Sequence, residues 1–174
     1  MYTNNLYKIA LCNPAKANSS LYIVSGYSSA TFTKRHLKDI NSIDKNIDVN
    51  LIIGMTGNRN DHQAYLDLKK YYKDLLNVYY IKSYPEVHAK AYAWLGHDTL
   101  GFSGSANYSQ QAFIGSQVNQ LEHTDPNTVK SFYDSLLPRT VPIIAYMPTQ
   151  KTVIPIISQP KGSVQPGKIQ WLIP

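Results

Sequence analysis

The stretch VHAKAYAWLGHDTLGFSGSAN, Val87 to Asn107, decides how the chain is read. Two apolar runs flank the turn-forming GHDT, a pattern that predicts an antiparallel hairpin. Along VHAKAYAW the alternation is strict: His88, Lys90, Tyr92 and Trp94 share one face, and Val87, Ala89, Ala91 and Ala93 the other. The small alanine face is expected to pack closely against a neighbouring layer, which leaves the histidine and lysine face for chemistry. With His97 and Asp98 at the centre of the turn, His88 stands across from Asn107 and Lys90 across from Ser105, their Cβ atoms about 4.5 to 5.5 Å apart. A three-residue turn would shift this register and break up the cluster.

Four polar groups then converge: an imidazole, an ammonium, a hydroxyl and a carboxamide. Histidine serves as nucleophile or proton donor near neutral pH, while lysine and asparagine donate hydrogen bonds to charged non-bridging oxygens, so the set suits phosphoryl chemistry and needs no metal. A lone H-x-K would be nothing more than the solvated face of a hairpin. The G-S-x-N on the return strand argues against that.

Upstream of the hairpin, strands alternate with helices. SLYIVSGYSSATFTKRHLKDI reads as a strand at Leu21 to Ser25, a Gly26 turn and a helix from about Ser29. NIDVNLIIGMTGNRNDHQAYLDLKKYYKDLLN repeats the plan with a strand at Val49 to Met55 and a helix from about Asp61, and a short strand, Val78 to Ile81, follows. Such alternation indicates an α/β sheet with parallel pairs, to which the hairpin adds antiparallel strands. TVKSFYDSLL, from Thr128, is expected to be a further helix. Beyond it the texture changes: prolines recur at 142, 148, 155, 160, 166 and 174. Residues 1–141 are therefore read as one domain, and 142–174 as a Pro/Gly-rich linker or arm. The apolar ending KIQWLIP is read as the start of another domain, with a docked terminal strand as the alternative.

H-A-K at 88–90 followed by G-S-A-N at 104–107 resembles the H-x-K…G-S-x-N signature of the phospholipase D superfamily of phosphodiesterases. SLYIVSGYSSATF, VHAKAYAW and FSGSANYSQQAF together are similar to the nuclease domain of NgoFVII- and BfiI-type restriction endonucleases, over roughly Leu21 to Leu137. The resemblance implies a phospholipase D-like mixed β-sheet flanked by helices, with the hairpin at the active site. It implies His88 as the nucleophile that forms a phosphohistidine, Lys90 and Asn107 as ligands of the phosphoryl oxygens, Ser105 as a supporting hydroxyl, and a later carboxylate, best matched by Glu122, that orients the histidine. It also implies a metal-independent DNA endonuclease without cofactor. Because the chain carries a single histidine motif, it implies a homodimer with the site on its two-fold axis. Two features depart from the pattern. The acidic residue the family carries shortly after the lysine is Leu95 here, with Asp98 too far round the turn to replace it, and the gap between the motifs is a pair of residues longer. An even insertion preserves strand parity.

Composition sets the outer bounds. At 174 residues, with 43% hydrophobic and 16% charged residues, the chain is globular, and no apolar run reaches the length of a membrane span. Seventeen Lys and Arg against eleven Asp and Glu give a net charge of +6 and a pI near 9.3, which suits a polyanionic partner such as DNA. The fourteen tyrosines could stack on bases, but they also suit strands. The N-terminus lacks a signal-peptide core and the single Cys12 excludes internal disulfides, so a cytoplasmic setting is expected, with Cys12 a small buried hydrophobe. His36, His62, His97 and His123 lack metal-ligand spacing. In GMTGNRND the loop, with Arg59, either binds a phosphate at a helix N-terminus or is a plain strand-to-helix turn. TKRHLKD at 33–39 is read as a solvated helix face.

Base recognition is expected from a C-terminal DNA-binding domain beyond residue 174, since nothing within the chain has the marks of a base-reading module. Two alternatives stay open: a nonspecific or lipid-directed phosphodiesterase of the same superfamily, and a catalytically silent nucleic-acid-binding domain.

Overall fold

A computed structural model describes residues 1–55, 61–82 and 84–143. The apolar runs form strands β1 (Ser20–Ser25), β2 (Asp48–Ile53) and β3 (Leu76–Ile81), connected by helices α1 (Ala30–Asn41) and α2 (His62–Tyr72). The hairpin is β4 (Lys90–Leu95) and β5 (Leu100–Gly104). A short helix α3 (Gln110–Phe113), strand β6 (Leu121–Thr124), helix α4 (Pro126–Leu136) and strand β7 (Thr140–Pro142) complete the domain. One seven-stranded sheet results, in the order β6-β5-β4-β1-β2-β3-β7. β1, β2 and β3 are parallel, as the strand–helix alternation predicts, and every other pairing is antiparallel. The fold is the expected α/β mixed sheet. Among the described residues no helix is long and apolar enough to cross a membrane.

The helices start where side chains can satisfy their free N–H groups. Ser29 caps α1 by accepting from the Phe32 N–H, and Asp125 caps α4 by accepting from the Asn127 and Thr128 N–H groups, with Pro126 in the first turn. Asp61, expected near the start of α2, directs its carboxylate elsewhere: it accepts from the Ala30 N–H at 2.8 Å and so ties the entry of α2 to the first turn of α1.

Both faces of the sheet are covered. One packs against α1, α2 and an N-terminal helical segment, Tyr7–Cys12, and carries Leu21, Ile23, Leu51, Tyr92, Trp94 and Phe102 in the main core. The other packs against α4 through two clusters, Val24, Ile52, Ile81, Tyr133 and Leu136, then Ala91, Ala93 and Val129. The alanine face of β4 is thus packed as expected, beneath α4. The opposite face is not free for chemistry along its length, however: Tyr92 and Trp94 are fully buried, and the Trp94 indole N–H donates to the Ala10 carbonyl at 2.8 Å.

The hairpin register also differs from the expected one. Trp94 opposes Leu100, Tyr92 opposes Phe102 and Ala91 opposes Ser103, so the turn is the three-residue Gly96–His97–Asp98 and every pair is displaced by one. Gly96 sits at φ +130°, which L side chains rarely adopt, and a Cβ there would lie 2.7 Å from the Asn18 carbonyl oxygen. Continued outward, this register would set His88 opposite Ala106. β6 and β7 were not foreseen, being short edge strands without an apolar run, and Pro142 and Ile143, placed by composition on the linker side, belong to the sheet and its core: Pro142 opposes Tyr79, and Ile143 is buried with its N–H on the Val78 carbonyl.

His36, read from sequence as one of several scattered histidines, is a structural centre. Its Nε2 lies 3.0 Å from the Leu11 carbonyl, which can only accept, so Nε2 carries the proton and Nδ1 accepts from the Tyr108 hydroxyl at 2.6 Å. Burial pushes its pKa down to about 4, against the pull of the Leu11 hydrogen bond and of Asp39. The imidazole is neutral in the folded protein while an unfolded histidine takes up a proton near pH 6.5, so folding stability is fully present above pH 6.5 and falls as the pH drops toward 4. The loss should reach about 3 kcal/mol from this residue. Chemical denaturation across this range should show a shallower acid slope for His36→Gln, which keeps a donor and an acceptor but cannot be protonated.

Candidate active site

The C-terminal end of β1 is where the site is assembled. After Ser25 the chain passes through Gly26, whose N–H donates to the Ala89 carbonyl at 2.9 Å and whose carbonyl accepts from the Met55 N–H at 2.9 Å. The Gly54 N–H reaches the Ser25 carbonyl, and the Gly54 carbonyl accepts from the Val87 N–H at 3.1 Å. His88 therefore stands between two residues pinned by backbone hydrogen bonds. A Cβ on Gly26 would meet the His88 Cδ2 at 2.7 Å and the Asn107 Oδ1 at 3.3 Å, so the bare backbone at this position is what lets the two side chains approach.

Beyond Gly104, the chain leaves the hairpin ladder and docks on the loop after β1. The buried Tyr92 hydroxyl donates to the Ala106 carbonyl. The Tyr108 N–H donates to the Ser25 hydroxyl at 2.9 Å, the Ser29 N–H to the Tyr108 carbonyl at 3.1 Å, and the Tyr27 N–H to the Asn107 Oδ1 at 3.1 Å. Because Oδ1 is engaged in this way, the amide group of Asn107 is left as a donor.

His88, Lys90, Ser105 and Asn107 line one open cleft together with Gly104, Gln117, Val118 and Asn119. The displaced register does not disperse the expected cluster, because its outer members lie past the ladder: β4 begins at Lys90, β5 ends at Gly104, and the bend at 105–107 supplies the missing step. Lys90 is buried, with Nζ donating to the His88 carbonyl at 2.8 Å, and burial lowers its pKa. His88 is exposed, with the Tyr27 ring edge-on to it at 6.1 Å. Ser105 is already satisfied, its hydroxyl donating to Asn119 Oδ1 at 3.2 Å and accepting from the Gln120 N–H at 3.0 Å. It holds the 117–120 segment against the cleft.

The other candidates lie elsewhere. Glu122 is exposed on β6 opposite Ser103 and does not line the cleft. Arg59 lies outside the described residues. Leu95 and Asp98 sit at the far end of the hairpin, where Asp98 pairs with His97 at 3.1 Å. Sequence reading missed Gly26, Ser25, Tyr27 and Asn119. A glycine directly after a buried strand was the available signal for the first.

Residues 4–145 match the family of the NgoFVII restriction endonuclease N-terminal PLD domain. The chain belongs to this family. It is a PLD-family nuclease domain of the restriction endonuclease type, a phosphodiesterase by class. Among solved structures it is similar to Nuc from Salmonella typhimurium, a phospholipase D family member, at 16% identity over 76% of this chain and 86% of that one, with a TM-score of 0.53. That likeness is one of fold. NucT from Helicobacter pylori matches at 25% identity and a TM-score of 0.49 over 70% of this chain and 80% of that one. Polyphosphate kinase from Porphyromonas gingivalis matches at 11% identity and a TM-score of 0.45, over 68% and 17%. No curated protein matches the chain.

For this PLD domain the crowding at Gly26 makes a specific prediction. Gly26→Ala should fold, because the clash can be relieved by turning the exposed His88 ring, but the displaced imidazole should slow phosphodiester cleavage by about 100-fold. Thermal denaturation and cleavage rates on the same preparation check both halves.

Proposed function

We propose that the chain is the catalytic domain of a DNA endonuclease that hydrolyses phosphodiester bonds through a covalent phosphohistidine, without a metal ion, in a site shared by two copies of the chain. The observation that carries this reading is the convergence of His88, Lys90 and Asn107 in one open cleft whose described lining contains no carboxylate. Positive charge and N–H donors beside an accessible imidazole favour a pentacoordinate phosphoryl group, on which negative charge accumulates at the non-bridging oxygens. Lys90 and the Asn107 amide serve those oxygens. Ser105 acts through Asn119 and the backbone it holds, Glu122 is assigned no step, and Arg59 is given none.

The chemistry needs two imidazoles, and one chain brings a single one to the cleft. In the first step, a neutral His88 nitrogen forms a bond to phosphorus as the P–O bond to the leaving nucleoside breaks, and the leaving oxygen takes a proton from the His88 imidazolium of the second copy. In the second step, water attacks the phosphohistidine, its proton passes to that same, now neutral, imidazole, and the P–N bond breaks to release the phosphate end. Both histidines return to their starting states. A two-fold axis through the cleft supplies this pairing with one interface, and either histidine can take either role.

Residues 1–143 supply the catalysis in this reading, with Pro142 and Ile143 counted in the sheet and its core, and the chain after them leads toward a DNA-binding domain beyond residue 174 that reads the bases. The family name, which calls the PLD domain N-terminal, supports that order. The basic balance of the chain supports a nucleic-acid substrate over a lipid one.

Plasmid cleavage in excess EDTA tests the proposal. The wild type should cut, His88→Ala should be slower by about 10³-fold or more, and quenching the wild-type reaction in denaturant should trap labelled DNA on the protein through an acid-labile, base-stable bond that the variant lacks. Loss of cleavage in EDTA would overturn the metal-free mechanism.

A further inference from the structure

The cleft continues into a second groove. Gln117 and Val118 line both, and the second is completed by residues 3–8, by Arg35 of α1 and by residues 112–115 after α3. Its charged side chains are two cations, Lys8 and Arg35, both exposed, and its described lining contains no Asp or Glu. Among the described residues neither cation is in an ion pair. The Arg35 guanidinium lies over the Tyr7 ring, 5.6 Å from its centre, and Asp39, one helical turn further along α1, is occupied by the Tyr7 hydroxyl at 2.6 Å. Arg35 is thus held against an aromatic face and is in none of the ion pairs among the described residues. The same groove is lined by Ile114 and Val118, exposed apolar side chains, the second 92% exposed and shared with the cleft.

We propose that this groove carries the substrate strand away from the scissile phosphate, with Lys8 and Arg35 on the non-bridging oxygens of flanking phosphates and Ile114 and Val118 against the sugars between them. The inference rests on the nuclease reading of the cleft and names where its polyanionic substrate runs. A backbone of repeating anions separated by apolar sugars matches this alternation of cations and apolar side chains. A second copy of the chain is a poorer occupant, since a two-fold contact through the groove would set uncompensated cations of one copy against those of the other. With the cleft on a two-fold axis, symmetry repeats the groove on the partner. The two then follow the strand on either side of the cut.

The test measures binding of short labelled duplex and single-stranded DNA to His88→Ala protein, which holds substrate without turning it over, across a salt series. Adding Lys8→Ala and Arg35→Ala should lower the slope of log affinity against log salt by about one for each phosphate that is no longer neutralised, equally for unrelated sequences. Arg35→Lys should restore most of the Arg35 share, Lys8→Gln alone should give the Lys8 share on a surface that tolerates it, and Lys45→Ala, in the loop between α1 and β2, should change nothing. An unchanged slope in the double variant, with wild-type cleavage intact, would overturn the groove and leave the nuclease reading standing. Dissociation of the dimer with an unchanged slope would also overturn it, assigning the groove to a face between copies. A lowered slope in a protein whose wild type cuts no DNA would sink the nuclease reading and keep the groove as a nucleic-acid site.

Discussion

The Ser25 hydroxyl, fully buried at the end of β1, donates to the Tyr27 carbonyl and accepts from the Tyr108 N–H. The first is local and the second joins chain segments 83 residues apart, and the rest of the site depends on this joint. Tyr108 is itself anchored through its hydroxyl on His36, and His36 on the Leu11 carbonyl, so a continuous line of buried polar contacts runs from the N-terminal segment to the cleft. The Ser25 hydroxyl and the His36 ring each have both a donor and an acceptor satisfied. That satisfaction is what lets a polar line run through a hydrophobic core, since a half-filled network leaves a buried group without a partner.

Around this joint, the side chains that line the cleft are fixed from the backbone outward. Gly26 and Gly54 bring β1, β2 and the 87–89 segment close enough for N–H groups to reach carbonyls directly; at Gly54 a Cβ would fall 1.8 Å from the Val87 oxygen. Lys90 is held by its own neighbour, its ammonium on the His88 carbonyl and its stem in the protein. A lysine restrained in this way presents a charge at one place, and electrostatic stabilisation of a phosphoryl group depends on that restraint. Low solvation lowers its pKa and also strengthens its attraction for an incoming anion.

How far the sequence could be read depended on whether a signal was periodic or positional. The runs at β1, β2 and β3 and the stripes of α1, α2 and α4 appear at nearly the expected residues, because burial on one or both faces imposes a period that the residues must follow. LEHT and TVP carry no such period. They are strands because an edge of the sheet was open beside them. The turn of the hairpin is the instructive case. GHDT fits a two-, three- or four-residue loop equally well, and the observed turn has Gly96 at φ +130°, with the Asn18 carbonyl and Ser19 where a Cβ would stand. The cluster survives the shift because His88, Lys90, Ser105 and Asn107 lie past the last rungs between β4 and β5, where that ladder no longer dictates their facing.

Legible in the chain alone were the residue set, an imidazole, an ammonium and a carboxamide at spacings that resemble one superfamily, and the strands and helices whose order implies an α/β sheet. Residue types and local periods are carried by the chain, so they can be read from it. Tertiary structure alone decided which groups meet. Asn107 joins His88 in one cleft through the docking of 105–109 on the loop after β1, Ser105 turns to Asn119, Glu122 stays on the outer strand, and His36 becomes a strut. These are long-range hydrogen bonds and close backbone approaches, fixed by the whole core at once and left unmarked in any short stretch of sequence.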